Sequence, residues 1–331
     1  MVKLRVKATK VNRSNRSKLY PLKFKPIYKE LIWGGKKLRE YFNRDIPEGK
    51  RIGESWELAD LPNDKSIIVN GPLAGQTIRQ VISKFPLEMT GDKNFRGPFP
   101  LLIKFIDTEQ LLSVQVHPDE EACRKIGAGV AKTECWYIVQ AADGAVIYKG
   151  LKRGVTKKRF EQAIKNGTVV DLLMRIPVKA GQGYLLPAGT VHSIGPGILI
   201  VEIQTPSETT YRIFDWNRVD ASGKPRPLHI TEALASINFD NADEKIEAVT
   251  KGDMVSCEYF QVCRQKSAED SPMPLKAGQM QTIVILKGCG VIKSSETVPV
   301  EITAGDTLLI PAIYEGEMRF FAETEYLKIT I

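Results

Sequence analysis

Apolar and polar residues alternate in short runs along most of this chain, broken every few positions by Gly, Pro, Asn or Asp. Alternation of period two is the mark of strands with two different faces. It predicts strands over 53–58, 66–69, 132–139 and 209–216, and the apolar run 197–204, which carries Glu202, is read as a further strand. A hairpin over 138–149 turns at Asp143 and Gly144. A long apolar run from Phe99 to Leu112 leads into Ser113-Val-Gln-Val-His117-Pro118, read as a strand end that Pro118 stops because it has no N–H to give. Helical spacing is confined to short stretches: 37–42, 77–85 with apolar residues at 78, 81, 82 and 85, and 119–126, entered through Pro118 at its first turn. Two more are 156–166, capped by Thr156 and ended by Gly167, and 230–237. Residues 240–331 return to short strands.

One segment recurs. Val178-Lys-Ala-Gly181-Gln-Gly-Tyr-Leu-Leu-Pro187-Ala matches Ile302-Thr-Ala-Gly305-Asp-Thr-Leu-Leu-Ile-Pro311-Ala at an offset of 124. A glycine turn, an apolar strand and a proline turn in the same order predict two similar β-barrels in tandem. At that offset His192 becomes Gly316, so the second copy is expected to give support rather than chemistry.

Length and composition agree. The 331 residues suffice for about two domains, and 43% hydrophobic with 26% charged residues is ordinary for a globular protein. No apolar run is long enough to span a membrane, and no apolar signal core follows the basic start, so a cytoplasmic location is expected. The five Cys (123, 135, 257, 263, 289) never form C-x-x-C, which fits a reducing compartment and excludes a cysteine zinc finger. The net charge of +8 is uneven. Residues 1–29 hold ten Lys or Arg and no acid, leaving 37 basic against 39 acidic residues in the rest. The basic character therefore belongs to an arm, 1–18, read as solvated. It has no interleaved aromatics, so nothing supports a nucleic-acid partner. Gly34-Gly35-Lys-Lys lacks the spacing of a P-loop, which leaves ATP-dependent chemistry unsupported.

The candidate chemistry gathers on the strands. Gln115 and His117 are two apart and share a face, Glu134 opens the 132–139 strand, and His192 follows the turn at Pro187 and Gly189. Two imidazoles, a carboxylate and an amide oxygen suit a divalent transition metal such as zinc. His229 begins a helix and is read as structural.

Gly183-x3-Pro187-x-Gly189-x2-His192 resembles the second half-motif of the cupins, small jelly-roll barrels with a metal inside. Four blocks together are similar to the type I phosphomannose isomerases: Ser113-Val-Gln-Val-His-Pro118, Lys132-Thr-Glu-Cys-Trp-Tyr137, Pro187-Ala-Gly-Thr-Val-His192 and Tyr211-Arg-Ile-Phe-Asp-Trp216. The resemblance runs from about Pro21 to the C-terminus and is strongest over 99–235. It implies a mainly β fold of tandem cupin-like jelly-roll barrels with a few short helices. The expected division is the arm 1–18, a catalytic domain 19–239 with a helical insert near 150–170, and a degenerate cupin-like domain 240–331. It also implies interconversion of mannose 6-phosphate and fructose 6-phosphate, with one zinc per chain on Gln115, His117, Glu134 and His192. Arg212 and Lys132 match site residues, Ser113 and Lys104 match positions near the substrate phosphate, and Trp33 and Glu54 match the pocket wall. Longer members carry an added helical domain that this chain lacks. The expected partner is a small sugar phosphate, and the expected assembly a monomer or weak homodimer.

Aldose–ketose isomerisation moves a proton between C1 and C2 through an enediol whose charge sits on O1 and O2. Arg212 is expected to hold that charge, since a guanidinium stays protonated. The base is expected to be Lys132 or Glu202. As alternatives, Lys132 is a plain cation for phosphate or hydroxyl, and Glu202 an acceptor for a site cation or a ligand histidine. Two other functions compete. An iron-dependent oxygenase would use His117, Glu134 and His192, but Gln115 closes a position that oxygen needs. A non-catalytic sugar-phosphate binder has no need of both Lys132 and Arg212.

Overall fold

The structure is a computed structural model that describes residues 19–219, 223–240, 248–250 and 252–331. The expected arm, 1–18, lies outside the described residues. Four antiparallel sheets stack as two sandwiches. In the first, a six-stranded sheet runs in the order Ile27–Gly35, Ile52–Leu58, Leu102–Thr108, Ile198–Gln204, Glu134–Ala141, Gly183–Leu186. It faces a five-stranded sheet of Tyr211–Phe214, Val114–Val116, His192–Ile194, Val146–Leu151 and Leu173–Pro177. Trp33, Ile106, Trp136, Ile138, Ile147, Ile194 and Ile200 from the two sheets fill the space between them.

Both outer faces of this sandwich are covered too. Helices Lys157–Asn166 and Ile230–Ser236 bury Phe160, Ala163 and Ala233 against Val114 and Val116 of the five-stranded sheet. The six-stranded sheet turns Ile103, Phe105, Tyr137, Val139 and Val201 outward against Val262, Val284, Leu309 and Leu327 of the second sandwich. Covering on both sides explains why every residue of Leu102–Thr108 and Ile198–Gln204 is buried and why alternation is lost there. The second sandwich pairs another six-stranded sheet with a four-stranded one around Leu275, Ile283, Ile302, Met318 and Phe320. The repeat is visible in it. Gly181 and Gly305 have φ of 89° and 91°, and each leads into a four-residue strand, Gly183–Leu186 and Thr307–Ile310.

Three expectations change. Residues 66–69 form no regular strand: they make isolated bridges, Phe24 to Ile68 and Ile67 to Thr77, and hydrogen bonds to Lys23 and Lys25 at the end of Leu22–Lys23. Helix Glu120–Ile126 starts from Asp119, whose carboxylate accepts from the N–H of Ala122 at 2.7 Å, so Pro118 stays outside it. The sheets do not divide at 239/240. Leu22–Lys23 pairs with Leu308 and Leu309, so the first described strand belongs to the second sandwich.

Helix Lys37–Phe42, between strands Ile27–Gly35 and Ile52–Leu58 of the first sandwich, packs against a turn of the second. At its start, Asp107 accepts from the N–H of Lys37 at 2.6 Å, and a Cβ on Gly35 would lie 2.4 Å from the Asp107 carboxylate. At its end, Arg44 donates to the carbonyl of Gly305 at 2.5 Å and to Glu57 at 2.9 Å. A Cβ on Gly305, already at φ 91°, would stand 2.9 Å from the side chain of Phe42. Gly305→Ala is therefore expected to cost about 2–4 kcal/mol from backbone strain plus overpacking, read as a lower denaturation midpoint by circular dichroism. An unchanged midpoint would show that this turn does not brace the helix.

Candidate active site

Two rows of side chains cross the interior of the first sandwich. On the five-stranded sheet Arg212 pairs with Gln115, Gln115 with His192, and His192 with Lys149. On the facing sheet Trp56 pairs with Lys104, Lys104 with Glu202, and Glu202 with Trp136. Strand register places these residues, since cross-strand partners share a face. A pocket of about 170 Å³ between the rows is lined by Trp33, Glu54, Lys104, Ser113, Gln115, Lys132, Glu134, Trp136, Glu202 and Arg212, among others. Every site residue expected from the sequence thus lies at this pocket or, like His117 and His192, directly beside it.

At its floor one donor atom from each of His117, Glu134 and His192 lies within 4.8 Å of the others, and all three residues are buried. Nδ1 of His117 is 2.7 Å from the carbonyl of Thr209, and Nδ1 of His192 is 2.9 Å from the carbonyl of Thr190. A carbonyl only accepts, so each Nδ1 carries the proton and each Nε2 presents a lone pair to the floor. Burial, then the charge of Lys132, brings the His117 pKa down to about 4, and burial also lowers that of His192. Both rings are neutral near pH 7. Yet Nε2 of His117 stands 3.0 Å from Oε1 of Glu134 with no directed hydrogen bond. Two acceptors that close in a dry site call for a cation between them.

The donor set fits a divalent metal. Gln115 takes part if its amide oxygen faces inward. As placed, Nε2 is 3.2 Å from Nε2 of His192, while Oε1 accepts from Ser113 at 3.1 Å. Exchanging the amide's two ends keeps the Ser113 contact, because a hydroxyl accepts as readily as it donates, and sets the amide oxygen against the lone pair of His192 Nε2, a second pair of acceptors that a cation would join.

The carboxylates are tied to cations and to one indole. Burial alone would raise the pKa of Glu134, but Lys132, 2.7 Å away, and His117 hold it well below the usual range. The indole N–H of Trp136 reaches Glu134 at 3.1 Å and Glu202 at 2.9 Å. Glu202 is raised, by burial first and then by the charge of Glu134. Lys104 lies 2.8 Å from Glu202 and 3.3 Å from Glu54, and these charges outweigh burial and raise its pKa. The N–H of Trp56 fixes Glu54 at 2.7 Å. The expected phosphate ligand Lys104 is thus already held between two carboxylates. His229 is structural as read: its Nδ1 accepts from the N–H of Arg212 at 3.2 Å.

Trp136 escaped the sequence reading although period two puts it on the face of Glu134. Arg226, also on the pocket wall, sits in Lys-Pro-Arg226-Pro, where no pattern marks it.

A buried metal-type floor, walled by lysines and two arginines between antiparallel sheets, defines an enzyme of cupin architecture. A family model described as phosphomannose isomerase type I, catalytic domain, matches residues 21–159. Mannose-6-phosphate isomerase ManA of Bacillus subtilis (strain 168) is 35% identical over 315 residues, which cover 92% of this chain and 97% of that protein. The crystal structure of the mannose 6-phosphate isomerase from Bacillus subtilis superposes with a TM-score of 0.84 at 30% identity, covering 94% of this chain and 99% of that one. A zinc-bound mannose 6-phosphate isomerase shares the fold, with a TM-score of 0.73 at 16% identity over 94% of this chain and 100% of that one. The chain belongs to the type I phosphomannose isomerases.

Trp136→Phe removes one donor from two buried carboxylates at once. Divalent-metal affinity is expected to fall about 10–100-fold, measured by competition with a chromophoric chelator. Unaltered affinity would show that the indole does not orient Glu134.

Proposed function

We propose that this chain interconverts mannose 6-phosphate and fructose 6-phosphate, with one zinc held by Gln115, His117, Glu134 and His192. The observation that carries the reading is the pair of lone-pair acceptors, His117 Nε2 and Glu134 Oε1, 3.0 Å apart on the floor of a cation-lined pocket in a chain of this family. The oxygenase alternative has no support from relatives that are sugar-phosphate isomerases.

Zinc at this floor would polarise the sugar's carbonyl and hydroxyl oxygens. Arg212, across the strand from Gln115, holds the charge that develops on O1 and O2. Glu202 is the proton carrier. Its carboxyl is buried and raised, which brings its affinity for a proton towards working pH, and the Trp136 N–H and Lys104 ammonium fix where it points. Lys104 therefore orients Glu202, a different task from the phosphate contact expected from the sequence. Lys132, engaged with Glu134, serves as a cation for a substrate hydroxyl. Trp33 and Glu54 close the wall, and Ser113 offers its hydroxyl at the end away from Glu134.

The test is turnover of mannose 6-phosphate by purified protein before and after chelation. Activity should vanish on chelation and return with zinc, and absence of turnover in the zinc-loaded protein would overturn the reading. Glu202→Gln should lower kcat by about 10²–10⁴ and slow exchange of the substrate's C2 hydrogen with deuterated water, while metal content stays at one per chain. Undiminished exchange would remove Glu202 from the proton transfer.

A further inference from the structure

The pocket has a second end, beyond Ser113, that the chemistry above does not use. On the five-stranded sheet Arg212 is level with Gln115 and Phe214 with Val114, and Asp215 and Ser113 are the residues just beyond that last paired position. Asp215 is 5% exposed and carries two guanidinium groups. Arg226 grips it side-on, Nε to Oδ2 at 2.8 Å and Nη2 to Oδ1 at 2.5 Å. Arg218 reaches Oδ1 through Nη2 at 2.5 Å and is anchored at its other end, Nη1 donating to the carbonyl of Leu111 at 2.5 Å. Arg212 is close behind, with Nη1 on the carbonyl of Pro227 at 2.9 Å and a buried Nε without a partner among the described residues. Three guanidinium groups thus crowd one carboxylate.

That crowding has a cost that an anion would remove. Arg212 is pushed below its usual pKa, by burial first and then by the charge of Arg226. Like charges held together away from bulk water are tolerated where a ligand of opposite sign completes the site. Of Arg218 and Arg226, Arg226 lines the pocket itself. Its side-on pair with Asp215 uses Nε and Nη2, and among the described residues its Nη1 donates to no protein group. A guanidinium whose direction is fixed by a carboxylate on one edge, with donors free on the other, suits a phosphate.

Distance agrees. Ser113 and Gln115 are two residues apart on extended chain, about 7 Å. That is roughly the span from the reacting C1–C2 end of a hexose to a phosphate on C6. A sugar with its reacting carbons at Gln115 and Arg212 brings its phosphate to Ser113 and Arg226. Lys104, by contrast, lies on the facing sheet between Glu202 and Glu54, where a phosphate would meet two carboxylates.

We infer that Arg226, aimed by Asp215 and backed by Arg218, binds the substrate phosphate and sets the preference for a phosphorylated sugar. This rests on the sugar-phosphate reading for its ligand but not on turnover. The test is calorimetric binding of mannose 6-phosphate and of inorganic phosphate to the zinc-loaded wild type, Arg226→Gln and Arg226→Lys, with steady-state kinetics alongside. Arg226→Gln should weaken both ligands 10–100-fold and raise KM by the same factor, with kcat within about threefold of wild type and metal content unchanged. Arg226→Lys, which keeps the charge but loses the fork, should recover part of the affinity. Should wild type bind mannose 6-phosphate without turning it over, the isomerase reading falls and this one stands. Equal affinity of wild type and Arg226→Gln, failure of wild type to bind either ligand, or a fall in kcat with KM unchanged would each overturn it. If Arg226→Gln unfolds, Arg226→Lys carries the test, and affinity equal to wild type in that variant together with unchanged salt dependence would overturn the need for the fork.

Discussion

The structure depends on one buried negative charge. Glu134 is 1% exposed, next to two neutral imidazoles that offer it lone pairs. A carboxylate removed from water is costly unless cations and hydrogen bonds replace its hydration. Here Lys132 meets one oxygen and the indole of Trp136 the other. Trp136 then commits Glu202, Glu202 commits Lys104, and Lys104 commits Glu54, which leans on Trp56. The chain of partners crosses the inner face of the six-stranded sheet, and each link needs its neighbour's strand in register. A slip of one residue in any of these strands would turn that strand's side chains to the other face and leave a buried charge alone.

The second sandwich explains how such a strand stays in register. Residues 134–141 alternate, with Glu134 and Trp136 inward and Cys135 and Tyr137 outward into the large core shared with the C-terminal sheet. The hydroxyl of Tyr137 donates to Glu325 at 2.5 Å, and Arg264 meets the same carboxylate at 2.9 Å. One strand is therefore fixed from both sides, by chemistry within and by a polar clasp without. The degenerate copy at the C-terminus lost a histidine at the position of His192 but gained this bracing face.

What the sequence disclosed follows the distance over which each feature is determined. Gln115 with His117 was legible because period two needs only neighbours. The helix at 156–166 was legible for the same reason, with Thr156 accepting from Arg159 at 3.3 Å and Gly167 at φ 70°. The mainly β class and the internal repeat needed only patterns of a dozen residues. Pairing was not legible. Nothing near Lys104 in sequence announces Glu202, ninety-eight positions later and directly across the strand pair. The placement of Leu22–Lys23 in the second sandwich was hidden likewise, as was the approach of Arg226 to Asp215 across a loop. The resemblance carried residue types to their positions, but the ion-pair neighbours of Lys104, Glu202 and Glu54, stand together in no single motif.

The two ends of the pocket differ in kind. At the floor three carboxylates share two cations, Lys132 on Glu134 and Lys104 between Glu202 and Glu54, so carboxylates outnumber ammonium groups there. At the far end the ratio is three guanidinium groups to Asp215. A neutral sugar would find hydrogen bonds at one end and an unrelieved positive field at the other. On the proposed reading, a phosphate on the sugar would relieve that field and turn the reacting carbons towards the floor. The same asymmetry disfavours the reversed pose, because a phosphate on the floor would face Glu134, Glu202 and Glu54 at short range. On that reading the charge distribution of two facing sheets would set the orientation, independently of contacts to any particular hydroxyl.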